Sequence, residues 1–205
     1  MSTTSHRPAA TRLSRIAAAV LALVGATTAG AQPLIPAERR AAFELRPFAG
    51  AYLPTGDQRD ALRDAFHLGV QASYPIIPQF AVVGTFAWSA SKNRAAARDA
   101  AVDVLHYDAG VEGRAAGWRR GGTWDFTPFA GIGLGARTYN PRHGNTDSQT
   151  KFAGYGAIGG EFGIRRIGLR FEARDYLSQA GPVNGRDESG TRNDVTLAAG
   201  LTVRF

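Results

Sequence analysis

The sequence predicts an all-β fold, an eight-stranded antiparallel transmembrane β-barrel, and three observations support this prediction. Eight segments alternate between apolar and polar residues, as strands with one oily face and one polar face do. The links between these segments are alternately short and long. The last segment, from Asp194 to Phe205, places its apolar residues at one parity and ends on an aromatic residue. A strand of about 10 residues with this alternation suits one pass through an outer membrane.

Residues 1–31 are expected to form a cleaved secretory signal peptide. Three arginines precede the apolar run 16–24, and an A-x-A pattern ends at Ala31. No adjacent arginine pair precedes the run, which favours the general secretory route over the twin-arginine route. We expect a short N-terminal lead at 32–41 and a single barrel domain at 42–205.

The composition excludes several classes of function. The chain has no cysteine, so neither disulfides nor thiol chemistry are expected. The net charge of +7 falls to +4 when Arg7, Arg12 and Arg15 of the signal peptide are removed (7 − 3). This mild excess suits contact with anionic lipid headgroups, and the lack of a dense basic tract argues against nucleic-acid binding.

The first four predicted strands alternate apolar and polar residues. The second is the cleanest, because Phe66, Leu68 and Val70 alternate with polar or small residues. Pro75 and Pro78 predict a short turn after it. The predicted bounds of the four are 42–52, 65–74, 80–90 and 102–115.

The remaining four strands continue the same alternation. In the fifth, Trp124, Phe126 and Ile132 oppose small or polar residues, and a tight turn is predicted at Arg165 and Arg166. The terminal strand completes an even count, which places both chain ends on one side of a membrane. The predicted bounds of these strands are 123–139, 151–164, 167–177 and 194–205.

The lengths of the links predict an orientation. Short links are expected at 75–79, 116–122 and 165–166, and long polar links at 53–64, 91–101, 140–150 and 178–193. Short periplasmic turns opposite long extracellular loops are typical of outer-membrane barrels. The sequence therefore predicts four extracellular loops.

The polar parity of the strands is unusually rich in charge. An eight-stranded barrel has an interior just wide enough for side chains to fill, so these charges are expected to pair into a closed polar plug. Glycines at 131, 133, 135, 159 and 163 are expected to leave room for the arginines. The charged residues are Glu44, Arg46, Asp108, Glu112, Arg114, Asp125, Arg137, Glu161, Arg170, Glu172, Arg174, Asp194 and Arg204.

Periodicity alone leaves one alternative open, namely a soluble barrel. In a soluble barrel the charged face would point outward and the apolar face would form the core. The signal peptide, the terminal Phe205 and the loop asymmetry favour an apolar face turned towards lipid. Three stretches, 128–135, 169–176 and 193–205, resemble the small Gram-negative outer-membrane β-barrel family that includes the membrane domain of outer-membrane protein A.

This resemblance implies a location in the cell outer membrane. The expected partners are outer-membrane lipids and lipopolysaccharide, with periplasmic chaperones and the barrel-assembly machinery acting during biogenesis. The protein is expected to be a monomer that binds no nucleic acid.

Two sequence patterns suggest ligand binding but lack the structural context or the spacing that such binding needs. Residues 154–159 satisfy G-x-G-x-x-G, but they lie inside an alternating strand and open no helix, so dinucleotide binding is not expected. The histidines His67, His106 and His143 lack metal-ligand spacing. We therefore expect no cofactor-binding and no metal-binding residue.

Catalysis is also not expected. Small barrels that hydrolyse lipid A carry a local His-x-Ser pattern, which is absent here, and Ser148, Ser178 and Ser189 have no adjacent histidine. No catalytic residue is therefore assigned.

The sequence favours a non-enzymatic protein with a structural or surface-contact role, exerted through polar loops such as 91–99 and 184–192. The alternatives are a narrow channel for small solutes or hydrophobic compounds and, third, a lipid A-modifying enzyme.

Overall fold

A computed structural model describes residues 43–55, 63–93, 100–115, 117–120, 124–142, 148–179 and 191–205. No helix among these residues is long and apolar enough to span a membrane. The described chain consists of strands joined by turns. Their bounds are β1 Glu44–Thr55, β2 Ala65–Ile77, β3 Phe80–Asn93, β4 Ala100–Arg114, β5 Trp118–Arg120, β6 Trp124–Pro141, β7 Gln149–Ile164, β8 Ile167–Gln179 and β9 Thr191–Arg204.

Eight of these strands close into an antiparallel barrel. The hydrogen-bonded order runs β4-β3-β2-β1-β9-β8-β7-β6, and β6 pairs back to β4. The first and last strands meet at a seam, where the amide of Phe205 donates to the carbonyl of Phe43 over 3.0 Å. Closure leaves none of the eight strands as an open edge, which confirms the predicted fold class.

Two details at the short-turn end differ from the sequence prediction. β2 continues through Pro75 to Ile77, so the turn is confined to Pro78 and Gln79. The ladder with β3 is irregular between Pro75 and Ile77, and an irregularity of this kind lets a proline stay within a strand. The second short link contains β5, which pairs only with β6.

The predicted turn at Arg165 and Arg166 is confirmed. Arg165 has a φ of 53°, in the left-handed region that two-residue hairpin turns use. This conformation joins β7 to β8 without splaying the two strands, and Ile164 pairs directly with Ile167.

The apolar residues of the strands point outward and the charged residues point inward. Phe152 is 84% exposed and Leu134 is 75% exposed, whereas Arg46 and Glu44 are almost fully buried. This distribution is the reverse of that in a water-soluble barrel, so it decides the alternative that periodicity left open.

Several predictions fall on parts of the chain outside the described residues. These are the signal peptide at 1–31, the lead at 32–41, most of the long links, and the residues His143 and Ser189. They stay predictions.

Candidate functional site

The barrel encloses a network of paired charges, and its part near the short turns is named here the ionic cluster. The side chains come from five strands and cross the lumen to meet. The members of the ionic cluster are Glu44, Arg46, Glu112, Arg114, Glu161, Arg170, Glu172 and Arg204.

Glu112 on β4 lies at the centre of the ionic cluster. Its carboxylate accepts hydrogen bonds from Nη1 of Arg46 at 3.2 Å and from Nε of Arg114 at 2.9 Å. The guanidinium of Arg170 reaches the same carboxylate from β8. One buried carboxylate is therefore shared by three guanidinium groups.

Glu44 links the two ends of the barrel sequence at the seam. It binds Arg46 on its own strand, Arg114 at 2.6 Å and Nε of Arg204 at 3.2 Å. Arg204 in turn pairs with Glu161 on β7, which also accepts a hydrogen bond from Thr202 at 2.7 Å. These contacts join β1, β4, β7 and β9 through side chains that point to the axis.

Glu172 connects the ionic cluster to the middle of the lumen. It accepts hydrogen bonds from Arg170 at 2.8 Å, from Arg174, and from the amide of Gln71 at 3.0 Å. Arg174 continues the chain of contacts to Asp108, whose Oδ2 lies 3.1 Å from Nη1 of Arg174.

Three aromatic rings lie flat against arginines inside the barrel. The guanidinium carbons are 3.3 Å from the ring centre of Phe129 for Arg170 and 4.6 Å from that of Tyr155 for Arg174. Arg137 lies 3.8 Å from the ring centre of Tyr176. The parity of Phe129 and Tyr155 along their strands pointed inward, but neither ring was assigned to the polar face from the sequence. Stacking on a ring suits a guanidinium, because its faces bind water weakly.

Glycines make room for these rings, which refines the expectation that they make room for arginines. A Cβ on Gly159 would meet the ring of Phe129, and one on Gly133 would meet that of Tyr155. A Cβ on Gly135 would meet the carboxylate of Asp108. The small residues therefore admit the groups that the arginines bind.

The lumen near the long loops contains a second group, named here the histidine cluster, formed by His67, Ser89 and His106. Nδ1 of His67 lies 2.8 Å from Oγ of Ser89, which lies 3.3 Å from Nε2 of His106. The two imidazole centres are 5.0 Å apart. All three side chains are buried.

Tyrosines and one further ion pair surround the histidine cluster. The rings of Tyr52 and Tyr176 lie 5.7 and 5.9 Å from that of His106. Arg137, which pairs with His106 across the β4–β6 ladder, binds Asp194. The hydroxyl of Tyr176 donates to Asp108 over 2.6 Å. His67 and His106 thus have a polar partner in Ser89, and the structure brings together two histidines that lie far apart in the sequence.

The paired side chains leave little space around Arg46 and Arg170 in the part of the lumen that the structure describes. A cavity of about 10 Å³ lies among Arg46, Gln71, Arg170 and Glu172. A space of this size accommodates roughly one water molecule. Asp125, the remaining charge assigned to this face, is half-buried at the short-turn end of β6, where it accepts a hydrogen bond from Thr127 at 3.4 Å.

A polar contact on the outer surface marks the loop end of the barrel. Asp103 accepts hydrogen bonds from Trp88 at 2.8 Å and from Nη2 of Arg142 at 2.7 Å. Counted from Arg114, Asp103 lies just beyond the 9–11 residues that cross a membrane. The hydrogen bonds from Arg142 lower the pKa of Asp103 below its ordinary value.

The described residues offer little basis for metal binding. They include no group of three or more acidic, histidine or cysteine side chains that could bind a metal ion. Residues 154–159 lie within β7, as expected for a strand rather than a nucleotide-binding loop. Ser148 is exposed and Ser178 is buried. The sequence analysis named neither Ser89 nor the meeting of His67 with His106 as a site.

Comparisons with known proteins agree with this architecture. No family model matches the chain, and no curated protein matches it. The structure is similar to that of Neisserial surface protein A, with 17% identity, a TM-score of 0.61 and coverage of 80% of this chain and 97% of that one.

Two barrels of Pseudomonas aeruginosa are also similar, and both are covered almost completely. The N-terminal β-barrel domain of OprF has 10% identity and a TM-score of 0.52, over 80% of this chain and 97% of that one. The outer membrane protein OprG has 14% identity and a TM-score of 0.53, over 80% and 96%. The inward charges, the outward apolar side chains and these likenesses together show that the chain has the fold of the small outer-membrane β-barrels.

Proposed function

We propose that this chain is a non-enzymatic protein of the outer membrane, with a structural or surface-contact role exerted through its four long loops. The observation that carries this proposal is the pairing of charges inside the barrel beneath an apolar outer surface. Leu134 and Phe152 point away from the barrel, where hydrocarbon tails are the medium that favours them. A barrel with this apolar outer surface is suited to lie in a bilayer and to expose its loops at the membrane surface.

The side-chain plug supports a structural role over transport. Glu112 alone joins three guanidinium groups, and the aromatic rings of Phe129 and Tyr155 fill the space beside Arg170 and Arg174. A solute would have to separate several buried ion pairs, each of which is costly to break. We therefore propose that the lumen is closed to solutes at neutral pH.

The loop end is the face that partners would meet. The two-residue turns at 78–79 and 165–166 lie at one end of the barrel, and the links 56–64, 94–99, 142–148 and 180–190 leave it at the opposite end. At this end, Lys92 is exposed, and Arg142 lies on the outer surface. Cationic groups at this level suit contact with the phosphates of outer-membrane lipids and lipopolysaccharide, which we propose as the immediate surroundings of the barrel.

Cell fractionation combined with gel mobility tests the proposed location. The protein is expected in the outer-membrane fraction, and the unboiled sample is expected to migrate differently from the boiled one, because a closed barrel resists detergent. Recovery as a compact monomer from the detergent-free soluble fraction would contradict the proposal.

Planar-bilayer recordings and lipid analysis separate the proposed role from the alternatives. The purified barrel is expected to give no stepwise conductance at neutral pH, and lipid A incubated with it is expected to keep all its acyl chains. Clear conductance steps would establish the channel instead, and loss of an acyl chain would establish the enzyme. Vesicles without protein and a boiled sample are the controls.

A further inference from the structure

We propose that the histidine cluster is an acid-sensitive latch, which keeps the loop end of the lumen packed at neutral pH and loosens it when its rings take up protons. This inference goes beyond the proposed structural role, because it assigns a condition under which the closed lumen changes. It depends on the geometry of His67, Ser89 and His106 and on the charges that face them.

The hydroxyl proton of Ser89 is used within the cluster when one of the two ring nitrogens that it contacts is unprotonated. A serine hydroxyl has one proton to donate, and Ser89 contacts a ring nitrogen of His67 at 2.8 Å and one of His106 at 3.3 Å. In that arrangement the hydroxyl accepts from one ring and donates to the other. The second ring then accepts through an unprotonated nitrogen, which a proton taken up at that nitrogen would convert into a donor.

The charges around the cluster oppose an added proton. From β6, Arg137 faces His106 across the strand ladder, and from β8, Arg174 reaches across the lumen to Asp108 of β4, two residues after His106. A proton on either ring would place another positive charge near these two guanidinium groups. Burial strengthens this repulsion, because little water is present to screen it.

The carboxylates that face this region already have cationic partners. Asp194 of β9 pairs with Arg137, while Asp108 of β4 and Glu172 of β8 pair with Arg174. Tyr52 of β1 and Tyr176 of β8 contribute neutral rings to the wall. A new imidazolium would therefore have to compete with an arginine for each acid.

Protonation is linked to stability with a definite sign. In the unfolded chain both histidines are exposed to water and take up protons near pH 6.5, their ordinary range. The folded barrel disfavours those protons, so the unfolded state binds more of them and stability falls as the pH falls. From pH 6.5 to pH 5.0, each excluded proton raises the unfolding equilibrium constant by up to about 16-fold, because an exposed histidine is already half protonated at pH 6.5.

The test is reversible urea unfolding of the refolded barrel in phospholipid vesicles between pH 7.5 and pH 5.0. The wild-type protein is expected to lose stability as the pH falls. The double variant H67Q/H106Q is expected to lose at least half of this dependence. The matched control is H143Q, which removes a histidine outside the cluster and is expected to behave as the wild type does.

Three results would overturn the latch. They are a wild-type protein whose stability does not change over this pH range, a double variant with the full dependence, and a loss of dependence in H143Q equal to that in the double variant. A second measurement needs no variant, because nitrogen NMR of the imidazoles reports protonation directly. His67 and His106 are expected to stay neutral at pH 6 in the folded barrel, and ordinary titration of both near pH 6.5 would refute the proposal.

Discussion

Replacement of Glu112 by glutamine is the most direct test of the ionic cluster. The change keeps the size of the side chain and one oxygen acceptor, but it removes the negative charge that Arg46, Arg114 and Arg170 share. Glu112 is only 4% exposed, so water cannot replace the lost charge. The three guanidinium groups would then repel one another around a neutral amide.

The expected loss of stability is about 3–5 kcal/mol, the usual effect of removing one partner from a buried ion pair. The contacts justify this range, because all three guanidinium groups have a nitrogen within 3.2 Å of the carboxylate and none of the three arginines is exposed. Removing the surplus charge at the same time is expected to restore part of the loss, so E112Q/R170M should lose less than the sum of the single changes.

The assay is urea unfolding in phospholipid vesicles, followed by tryptophan fluorescence. The matched control is Asp103→Asn, which makes the same chemical change in an ion pair with the exposed Arg142. Exposed pairs contribute little, so this control is expected to unfold close to the wild type. Equal effects of E112Q and D103N would show that the lumen charges are solvated, and the reasoning for a closed plug would be refuted.

Three further predictions concern packing, the outer surface and pH. Gly135→Ala is expected to destabilise the barrel by about 1–3 kcal/mol, because its Cβ would meet the carboxylate of Asp108, whereas Gly84→Ala has no atom within 4 Å to meet and should change urea unfolding little. Leu134→Arg, in the middle of β6, is expected to cost about 2–4 kcal/mol in vesicles if lipid covers this face, and a neutral result would indicate water there instead. Arg142→Gln is expected to raise the pKa of Asp103, measured by NMR titration, because the hydrogen bonds from Arg142 lower that pKa in the folded protein. Since that carboxylate has a lowered pKa, its contact with Arg142 contributes to stability at neutral pH and is lost as the pH falls through the folded value; an unchanged titration in R142Q would contradict this account.

Much of the barrel follows from alternation that is local to each strand. Phe66, Leu68 and Val70 point outward while His67 and Gln71 point inward, as the parity of the sequence predicts. The exceptions are at the ends, where Pro75 lies inside a strand and β5 interrupts a predicted turn. Pairing with the neighbouring strand decides the structure at these positions. From the sequence alone, a proline indicates only the end of a strand.

The contents of the lumen were predictable by residue type but not by partner. The charges assigned to the inside face are there, yet nothing in the sequence pairs Glu44 with Arg114 and Arg204, or Arg137 with Asp194. Pairing depends on strand order and register around the whole barrel, which bring distant residues to one level. The same closure brings His67 to His106 through Ser89, although their sequence spacing suggests no site.

By itself, the sequence determined which residues share a face and how many strands form the barrel, since the extended backbone turns successive side chains to opposite sides. Only the tertiary structure decided which of the two faces lies inside and which charges meet there. Alternation is the same for either direction of sheet curvature, so the curvature of the folded sheet decides which face lies inside. Closure between β4 and β6 and between β1 and β9 decides which charges meet there.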